Sequence, residues 1–277
     1  MAIIMDGIKL RNRILEELHA RVQAMQTQPK LVAILVGDDP ASQVYVRNKE
    51  KYGAVAGIKT EVVRMSADTT TEAIIEKIKS LNADDSVNAI LVQLPLPKHI
   101  DKNAVLNAVD CKKDVDGFSD INIGKMYGSG RDFIIPCTPR GIMALLDEYG
   151  IDVAGKNAVV IGRSNIVGKP VAHMLLKRNA SITICHSFTK DIASFTRNAD
   201  IVVAATGKIK ITGDMLKKGA VVIDVGMQRD ENGKLCGDCD FESCEKIAGY
   251  ITPTPGGTGP MTIAGLMLNV VDLANGK

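Results

Sequence analysis

The stretch AVVIGRSNIVGKP, Ala158 to Pro170, constrains the fold of this chain more than any other. Ala158 to Ile161 is an uninterrupted apolar run of the kind covered on both faces in a parallel sheet, and Gly162 ends it. Gly168 and Pro170 then stand where a helix begins. Proline in a first turn sacrifices no hydrogen bond, because the amide it lacks would be unpaired there. The amide donors and positive dipole of such a helix start are expected to face an anion. Strand, glycine turn and helix together predict one βα unit of a parallel α/β sheet, with a ligand at the carboxyl end of the strand.

The spacing decides which anion. A P-loop has four residues between its glycines and a Ser or Thr after its lysine, whereas here five residues separate Gly162 from Gly168 and Pro170 follows Lys169. The dinucleotide fingerprint G-x-G-x-x-G has Ser164 in place of its second glycine, so the match is imperfect. A turn that binds nothing is the alternative, and Arg163, a guanidinium beside the pocket, speaks against it. The next strand, ASITICHS (Ala180 to Ser187), follows a helix over Lys169 to Arg178. An NAD site places a carboxylate at the end of this strand for the ribose hydroxyls; this chain has Cys185, His186 and Ser187. With no acid to repel an extra phosphate, Arg163 to pair with it and Ser187 to donate to it, the reading favours NADP over NAD.

Length allows two domains or one large one, since 277 residues at 45% hydrophobic content can bury sizeable cores. The net charge of +2 comes from 34 basic and 32 acidic residues mixed along the chain, so nucleic-acid binding has no electrostatic support. Neither an apolar run of about 18 residues nor a secretory leader is present, and a cytoplasmic location is expected. Six scattered cysteines suggest reduced thiols. Cys236, Cys239 and Cys244 would need a fourth ligand to close a zinc site and have no histidine nearby, so no metal is read there.

Upstream, residues 8 to 26 have helical periodicity and KLVAILVG (Lys30 to Gly37) reads as a buried strand. A helix over residues 41 to 57 follows, then a strand (Lys59 to Met65), a helix (Thr71 to Leu81) and a strand (Asn88 to Leu94). Such a βαβαβ series implies right-handed crossovers and a second parallel sheet. VQLPLP ends its last strand and puts Gln93 at the carboxyl edge. A short helix (Asp101 to Val109), the loop CKKDVDGFSDINIGK and a helix over 139 to 150 lead to the nucleotide unit. Beyond it come a helix (Asp191 to Arg197), the strands DIVVAATG (Asp200 to Gly207) and AVVIDVGM (Ala220 to Met227), and a hairpin-like acidic stretch. GYITPTPGGTGPMT, with three prolines and four glycines, is expected to be irregular, and a final helix spans Thr262 to Ala274.

Two places could carry chemistry. Tyr45, Lys49 and Tyr52 share one helix face in a chain only 4% aromatic, a flat apolar wall that would desolvate the ammonium and let it exchange a proton near neutrality. A lysine on an amphipathic helix is otherwise a solvated charge. In DVDGF, Asp114 and Asp116 do not make a calcium loop, since Gly117 is fourth rather than sixth and Lys125 replaces the final Glu. One carboxylate can stabilise the turn; one can grip the N–H edge of a planar heterocycle. Cys137, between prolines, reads as a packed thiol, and the four histidines do not cluster at metal spacing.

Taken together, YVRNK (Tyr45 to Lys49), VQLPLP (Val92 to Pro97), KDVDGF (Lys113 to Phe118), PCTP (Pro136 to Pro139), IGRSNIVGKP and TPTPGGTGPMT resemble, in order and over nearly the whole chain, the bifunctional methylenetetrahydrofolate dehydrogenase/methenyltetrahydrofolate cyclohydrolase family. The resemblance implies an α/β fold of two domains with a cleft between them. Residues 1–139, completed by the C-terminal helix 260–277, would form a parallel α/β folate-binding catalytic domain, and residues 140–259 a Rossmann-like NADP-binding domain. It implies NADP-dependent oxidation of 5,10-methylenetetrahydrofolate to the 5,10-methenyl compound, hydrolysis of that to 10-formyltetrahydrofolate, a homodimer formed through the nucleotide domain, and a place in purine biosynthesis. Lys49 would be the catalytic lysine, with Gln93 tuning its protonation, Tyr45 stacking on the aminobenzoyl ring and Asp116 anchoring the pterin. Pro255, Gly256 and Gly257 would line the folate site; Arg163, Ser164 and Ser187 would hold the cofactor phosphates, with Gly162, Gly168, Thr206 and Gly207 completing the cofactor site.

Against the family pattern, Cys111 replaces a proline, Cys239 a valine of GDVDF, and Thr254 and Thr258 valines of TPVPGGVG. None is a proposed catalytic residue, but the two threonines leave the packing of the folate loop open. The rival readings are another two-domain NADP dehydrogenase of the shikimate type, which would not require Tyr45, Lys49, Gln93 and Asp116 together, and an NADP-binding regulator, which would have no use for them.

Overall fold

Two runs of β-branched and leucine residues seed two separate sheets. The computed structural model describes residues 1–128, 133–231 and 233–276. In chain order its elements are β1 (Ile3–Ile4), α1 (Gly7–Gln23), β2 (Lys30–Val36), α2 (Pro40–Val55), β3 (Lys59–Met65), α3 (Thr71–Asn82), β4 (Ala89–Val92), α4 (Lys102–Ala108), α5 (Asp120–Tyr127) and α6 (Cys137–Glu148). The remainder comprises β5 (Asn157–Ile161), α7 (Gly168–Lys177), β6 (Ser181–Cys185), α8 (Ile192–Thr196), β7 (Ile201–Ala204), β8 (Val221–Asp224), β9 (Gln228–Arg229), β10 (Leu235–Cys236), α9 (Phe241–Glu245), β11 (Tyr250–Ile251) and α10 (Thr258–Ala274). The chain divides into two compact units, one of Asn12–Cys137 with Ile263–Lys277 and one of Met1–Arg11 with Thr138–Thr262.

In the unit built on Asn12–Cys137, β2 is the central strand of a parallel sheet ordered β3-β2-β4, with Leu31 opposite both Thr60 and Ala89. Every β2 residue after Lys30 is buried, as a strand covered on both faces requires. Ile34, Ile74, Ile78, Ile90 and Val105 form the core on one face, and each such side chain contributes about 1.5–3 kcal/mol by leaving water. The helices start on side-chain caps. Asp39 accepts from the Ser42 amide at 2.8 Å, with Pro40 opening α2, and Thr70 accepts from the Ala73 amide at 3.2 Å. At the other end of α3 the Lys113 ammonium donates to the carbonyls of Leu81, Asn82 and Asp84 at 3.1, 2.8 and 2.8 Å. That anchor pins the KDVDGF segment beside β4, where Ile90 and Asp114 form a bridge.

The other unit carries a six-stranded parallel sheet ordered β1-β11-β8-β7-β5-β6. From β5 the chain runs outward to β6 and then crosses back to β7. The strand order therefore reverses between β5 and β7, and a crevice opens at their carboxyl ends. Val159, Ile161, Val202, Ala204 and Val222 form its core with Cys244 and Ile251.

Several sequence expectations shift. The first eleven residues, assigned to the N-terminal domain, group with the later unit because Ile3 and Ile4 pair with Tyr250 and Ile251. The loop expected over Cys111 to Lys125 contains α5, whose start is capped by Ser119 accepting from the Asn122 amide at 3.3 Å and whose Met126 is buried. GYITPTPGGTGPMT is not wholly irregular. Tyr250 and Ile251 form β11 ahead of its prolines, and α10 starts at Thr258 rather than Thr262, with Pro260 in a first turn where no amide is needed. Lys277, the last residue assigned to the C-terminal helix, lies outside the described residues.

Along α10, Asn269 is fully buried, and its Nδ2 donates to the carbonyls of Val115 at 2.7 Å and Ile135 at 2.9 Å. Asn269→Ala removes the amide donor to both carbonyls, leaving Val115 O only the Cys137 thiol at 3.7 Å, and is expected to lower stability by about 1–3 kcal/mol, the cost of roughly one orphaned group. Urea denaturation checks this, and a midpoint equal to wild type contradicts it.

Candidate functional site

Helix α2 and the end of β4 bring two side chains together. Lys49 Nζ donates to Gln93 Oε1 at 2.8 Å. Gln93 Nε2 in turn donates to the Leu94 carbonyl at 2.6 Å, which turns the amide so that its oxygen faces the lysine. Gln93 is only 7% exposed, and its own amide continues the β2–β4 ladder by donating to Ile34 O at 2.9 Å. Burial holds the Lys49 ammonium below its ordinary range, and the negative charge of Asp116, then the Cys137 sulfur, partly offsets this. For Asp116 the balance runs the other way: burial raises its carboxyl, Lys49 pulls it back down and Asp114 pushes it up again.

The two aspartates of DVDGF have different tasks. Asp114 folds the turn: its Oδ1 accepts from the amides of Gly117 and Phe118 at 3.0 and 3.3 Å, and its Oδ2 from the Ser119 amide and Asn122 Nδ2 at 2.8 and 2.9 Å. Gly117 has φ +67°, and a side chain there would collide with the Ile134 carbonyl. With both oxygens engaged, Asp114 is the turn former, and Asp116 is the carboxylate within electrostatic reach of Lys49. Cys137 Sγ lies 3.3 Å from Asp116 Oδ1 and 3.7 Å from the Val115 carbonyl, so a thiol read as packing also touches the site carboxylate. Tyr45 is 41% exposed, and burial of the remainder raises its phenol. Tyr52, the other tyrosine of that face, carries Lys51 over its ring at 5.4 Å.

In the six-stranded unit, the βα turn is built as a bare cradle. Gly162 has φ +126°, a Cβ on it would collide with the Ala205 carbonyl, and one on Gly168 would collide with the Gly162 carbonyl. The first-turn amides of α7 are used within the turn itself. Ser164 Oγ accepts from the amides of Val167 and Gly168 at 3.2 and 3.3 Å, and the Lys169 amide donates to Ser164 O at 3.1 Å. An anion in this turn would thus meet the Ser164 hydroxyl hydrogen and Arg163 rather than a row of free helix amides. The Arg163 guanidinium lies over the Phe188 ring, 5.7 Å from its centroid, and Ser187 is exposed just after β6. Thr206 and Gly207 follow β7, across the crevice from Gly162.

The glycine loop after β11 is held by backbone contacts and by the Thr252 and Thr258 hydroxyls, which bond the Asp224 amide and carbonyl at 2.7 and 2.8 Å. The Gly7 amide donates to the Gly256 carbonyl at 2.9 Å, Gly257 N donates to Pro253 O at 2.8 Å, and a Cβ on Gly7 would collide with Gly257 O. Pro255 is exposed at its tip. Among the described residues no group of three or more His, Cys, Asp and Glu is placed to hold a metal, and no disulfide joins the six cysteines. Two buried carboxylates went unread in the sequence. Asp224 accepts from the amides of Gly226, Asp238 and Cys239, each at 2.9 Å, and Asp238 accepts from Thr206 and Gly207. The clue was two aspartates, in AVVIDVGM and CGDCDF, within otherwise apolar or small-residue stretches.

Residues 5–116 match the model of the tetrahydrofolate dehydrogenase/cyclohydrolase catalytic domain, and residues 136–277 that of the NAD(P)-binding domain of the same family. The bifunctional protein FolD of Streptococcus pneumoniae serotype 2 is 54% identical over 272 residues, covering 96% of this chain and 95% of the relative. Among solved structures, the bifunctional enzyme FolD, a methylenetetrahydrofolate dehydrogenase/cyclohydrolase from Campylobacter jejuni, superposes with a TM-score of 0.98 at 46% identity, covering 100% of this chain and 99% of that one. The methylenetetrahydrofolate dehydrogenase-cyclohydrolase of Trypanosoma brucei, solved with NADP and an inhibitor, does so with a TM-score of 0.93 at 37% identity, covering 99% and 97%.

The electrostatic pairing of Lys49 with Asp116 can be read directly. Asp116→Asn removes the charge that supports the ammonium and is expected to lower the Lys49 pKa further, so that Lys49 is acetylated faster at neutral pH than in wild type. Competitive labelling with acetic anhydride across pH, read by mass spectrometry, measures the shift; an unchanged or raised value contradicts the pairing.

Proposed function

The chain belongs to the tetrahydrofolate dehydrogenase/cyclohydrolase family, and from that premise we propose how its residues divide two reactions on one folate. It oxidises 5,10-methylenetetrahydrofolate to the 5,10-methenyl compound with NADP and hydrolyses that compound to 10-formyltetrahydrofolate. The shikimate-type reading has no support from these relatives, whose family spans the chain.

The cradle fits a dinucleotide: Gly162 and Gly168 leave its floor without side chains, and no carboxylate ends β6 to repel a ribose phosphate. When bound, NADP supplies the hydride acceptor. In our reading Arg163, steadied over Phe188, and Ser187 hold the ribose phosphate; Ser164 donates its hydroxyl hydrogen to the pyrophosphate; and Thr206 and Gly207 border the crevice with Gly162 and Gly168. The folate nitrogens' lone pairs stabilise the carbon that loses hydride, so the protein's part in that step is alignment rather than a strong base. Tyr45 stacks on the aminobenzoyl ring, Asp116 accepts from the pterin N–H edge, and Pro255, Gly256 and Gly257 bring backbone against the substrate.

Hydrolysis needs more from the protein. Water adds to the cationic methenyl carbon and loses one proton to give a neutral carbinolamine; the hydroxyl then loses its second proton as one carbon–nitrogen bond breaks and that nitrogen takes a proton, so one proton is released overall. Lys49 is the group we assign to this proton movement. Burial makes its neutral form accessible, Gln93 aims its nitrogen, and Asp116 keeps the ammonium from losing its proton altogether. The observation that carries the assignment is the 2.8 Å hydrogen bond from Lys49 to a buried, backbone-locked Gln93.

We further propose that the 10-formyl product feeds purine biosynthesis, that the protein works in the cytoplasm as its mixed charge and thiol cysteines suggest, and that it acts as a homodimer. Among the described residues no helix is long and apolar enough to cross a membrane. The edge of the larger sheet supports the dimer: among the described residues β6 pairs with β5 alone, its Ile184 is 40% exposed, and Phe195, which lines a cleft with Ser181 to Thr183, is 43% exposed.

Two experiments test these statements. With methylenetetrahydrofolate and NADP, wild type should form reduced cofactor and then consume the methenyl compound; Lys49→Ala should slow methenyl hydrolysis by roughly 10²–10⁴-fold, and wild-type hydrolysis in that variant would refute the lysine's role. Light scattering should give twice the 29.7 kDa chain mass, and Ile184→Glu should release monomers. A monomeric wild type contradicts the dimer.

A further inference from the structure

Asp238 lies beneath the cofactor crevice, outside every role assigned above. Its side chain is 1% exposed, and a carboxylate so deeply buried survives only if its oxygens are supplied with donors. All its donors but one come from a single turn. Oδ2 accepts from the Thr206 amide at 2.7 Å, the Thr206 hydroxyl at 3.2 Å and the Gly207 amide at 3.1 Å, while Oδ1 accepts from Gln228 Nε2 at 2.8 Å. Thr206 Oγ1 then accepts from the amides of Lys208 and Ile209 at 3.1 and 3.0 Å, so the next residues are gathered onto the same point.

The anchor cannot drift. Asp238 N donates to Asp224 Oδ1 at 2.9 Å, and Asp238 O accepts from the Ile211 amide at 2.8 Å. A Cβ on Gly226 would collide with the Asp238 amide, and one on Gly237 would collide with the Asp224 carboxylate. Asp224 is the last residue of β8, so the chain of contacts runs from a sheet strand through two carboxylates to the turn that follows β7.

We infer that Asp238 is a positioning residue for the oxidation: from below, it fixes the Thr206–Gly207 turn at the height the dinucleotide requires, without touching the cofactor. The inference rests on the assignment of that turn to the cofactor site. It makes a specific demand, because hydrolysis of the methenyl compound uses no cofactor and so should not register the loss.

The test measures both activities in the intact protein. Asp238→Ala is expected to raise KM for NADP about tenfold or more, with methenyl hydrolysis assayed without NADP staying within about twofold of wild type. Asp238→Asn keeps an acceptor for the turn amides and offers Nδ2 to Gln228, whose amide can reverse; its KM for NADP is expected within about threefold of wild type. Should the alanine variant not be recovered folded, Asp238→Ser, which also cannot reach the turn, takes its place with the same expectation. An unchanged KM for NADP in the truncated variant overturns the inference, as does an equal loss of both activities, which would mark Asp238 as merely structural. A wild type that does not reduce NADP with methylenetetrahydrofolate overturns the cofactor assignment itself, and the inference with it.

Discussion

The structure around the candidate catalytic group depends on one constraint, an ammonium held half out of water. A lysine on an open helix face stays charged and rotates among many conformers. Lys49 gives up the second freedom through Gln93, which is itself fixed by the β2–β4 ladder and by its bond to the Leu94 carbonyl. Burial makes the charged form costly, and Asp116 offsets part of that cost. Remote contacts serve this balance. Lys113 ties KDVDGF to the end of α3, Asp114 folds the turn, and Asn269 grips the Val115 carbonyl next to Asp116. A shift in any of these would move the carboxylate that keeps the lysine protonated.

The nucleotide-binding half follows a similar logic with backbone groups in place of a side-chain pair. Its floor consists of glycines that no other residue can replace without collision, and its turns are held by hydroxyl and carboxylate acceptors. Ser164 illustrates the economy of the arrangement: its oxygen satisfies two helix-start amides, and its hydrogen remains to meet an anion. The two buried carboxylates of this half, Asp224 and Asp238, point inward to amides, and Cys185, His186 and Ser187 leave the end of β6 without an acidic group.

Most of the strand and helix plan was legible because the relevant signals are local. KLVAILV and AVVI have the continuous apolar character of doubly covered strands, and β3 spans the residues its pattern predicts. What sequence missed depended on contacts between distant residues. The first strand is two residues long and exists only because Tyr250 and Ile251 lie beside it. Helix α5 sits in a stretch whose Asp and Gly content looks like loop, and its start is set by the Ser119 cap. At the site, spacing singled out Lys49 but could not choose between Asp114 and Asp116, since that choice depends on which carboxylate the turn consumes. The role of Asp238 could not be read locally because its partners, 32 and 31 residues upstream, reach it through the crossovers of the sheet.

The central claim is that the fold holds the Lys49 ammonium easier to deprotonate than an exposed lysine. Titration of the lysine side-chain nitrogens by NMR in the wild-type protein, with the Lys49 signal assigned by its absence in Lys49→Arg, tests this without reference to turnover. The account predicts a midpoint for Lys49 clearly below those of the exposed lysines; a Lys49 signal that titrates with them, or above them, would contradict it.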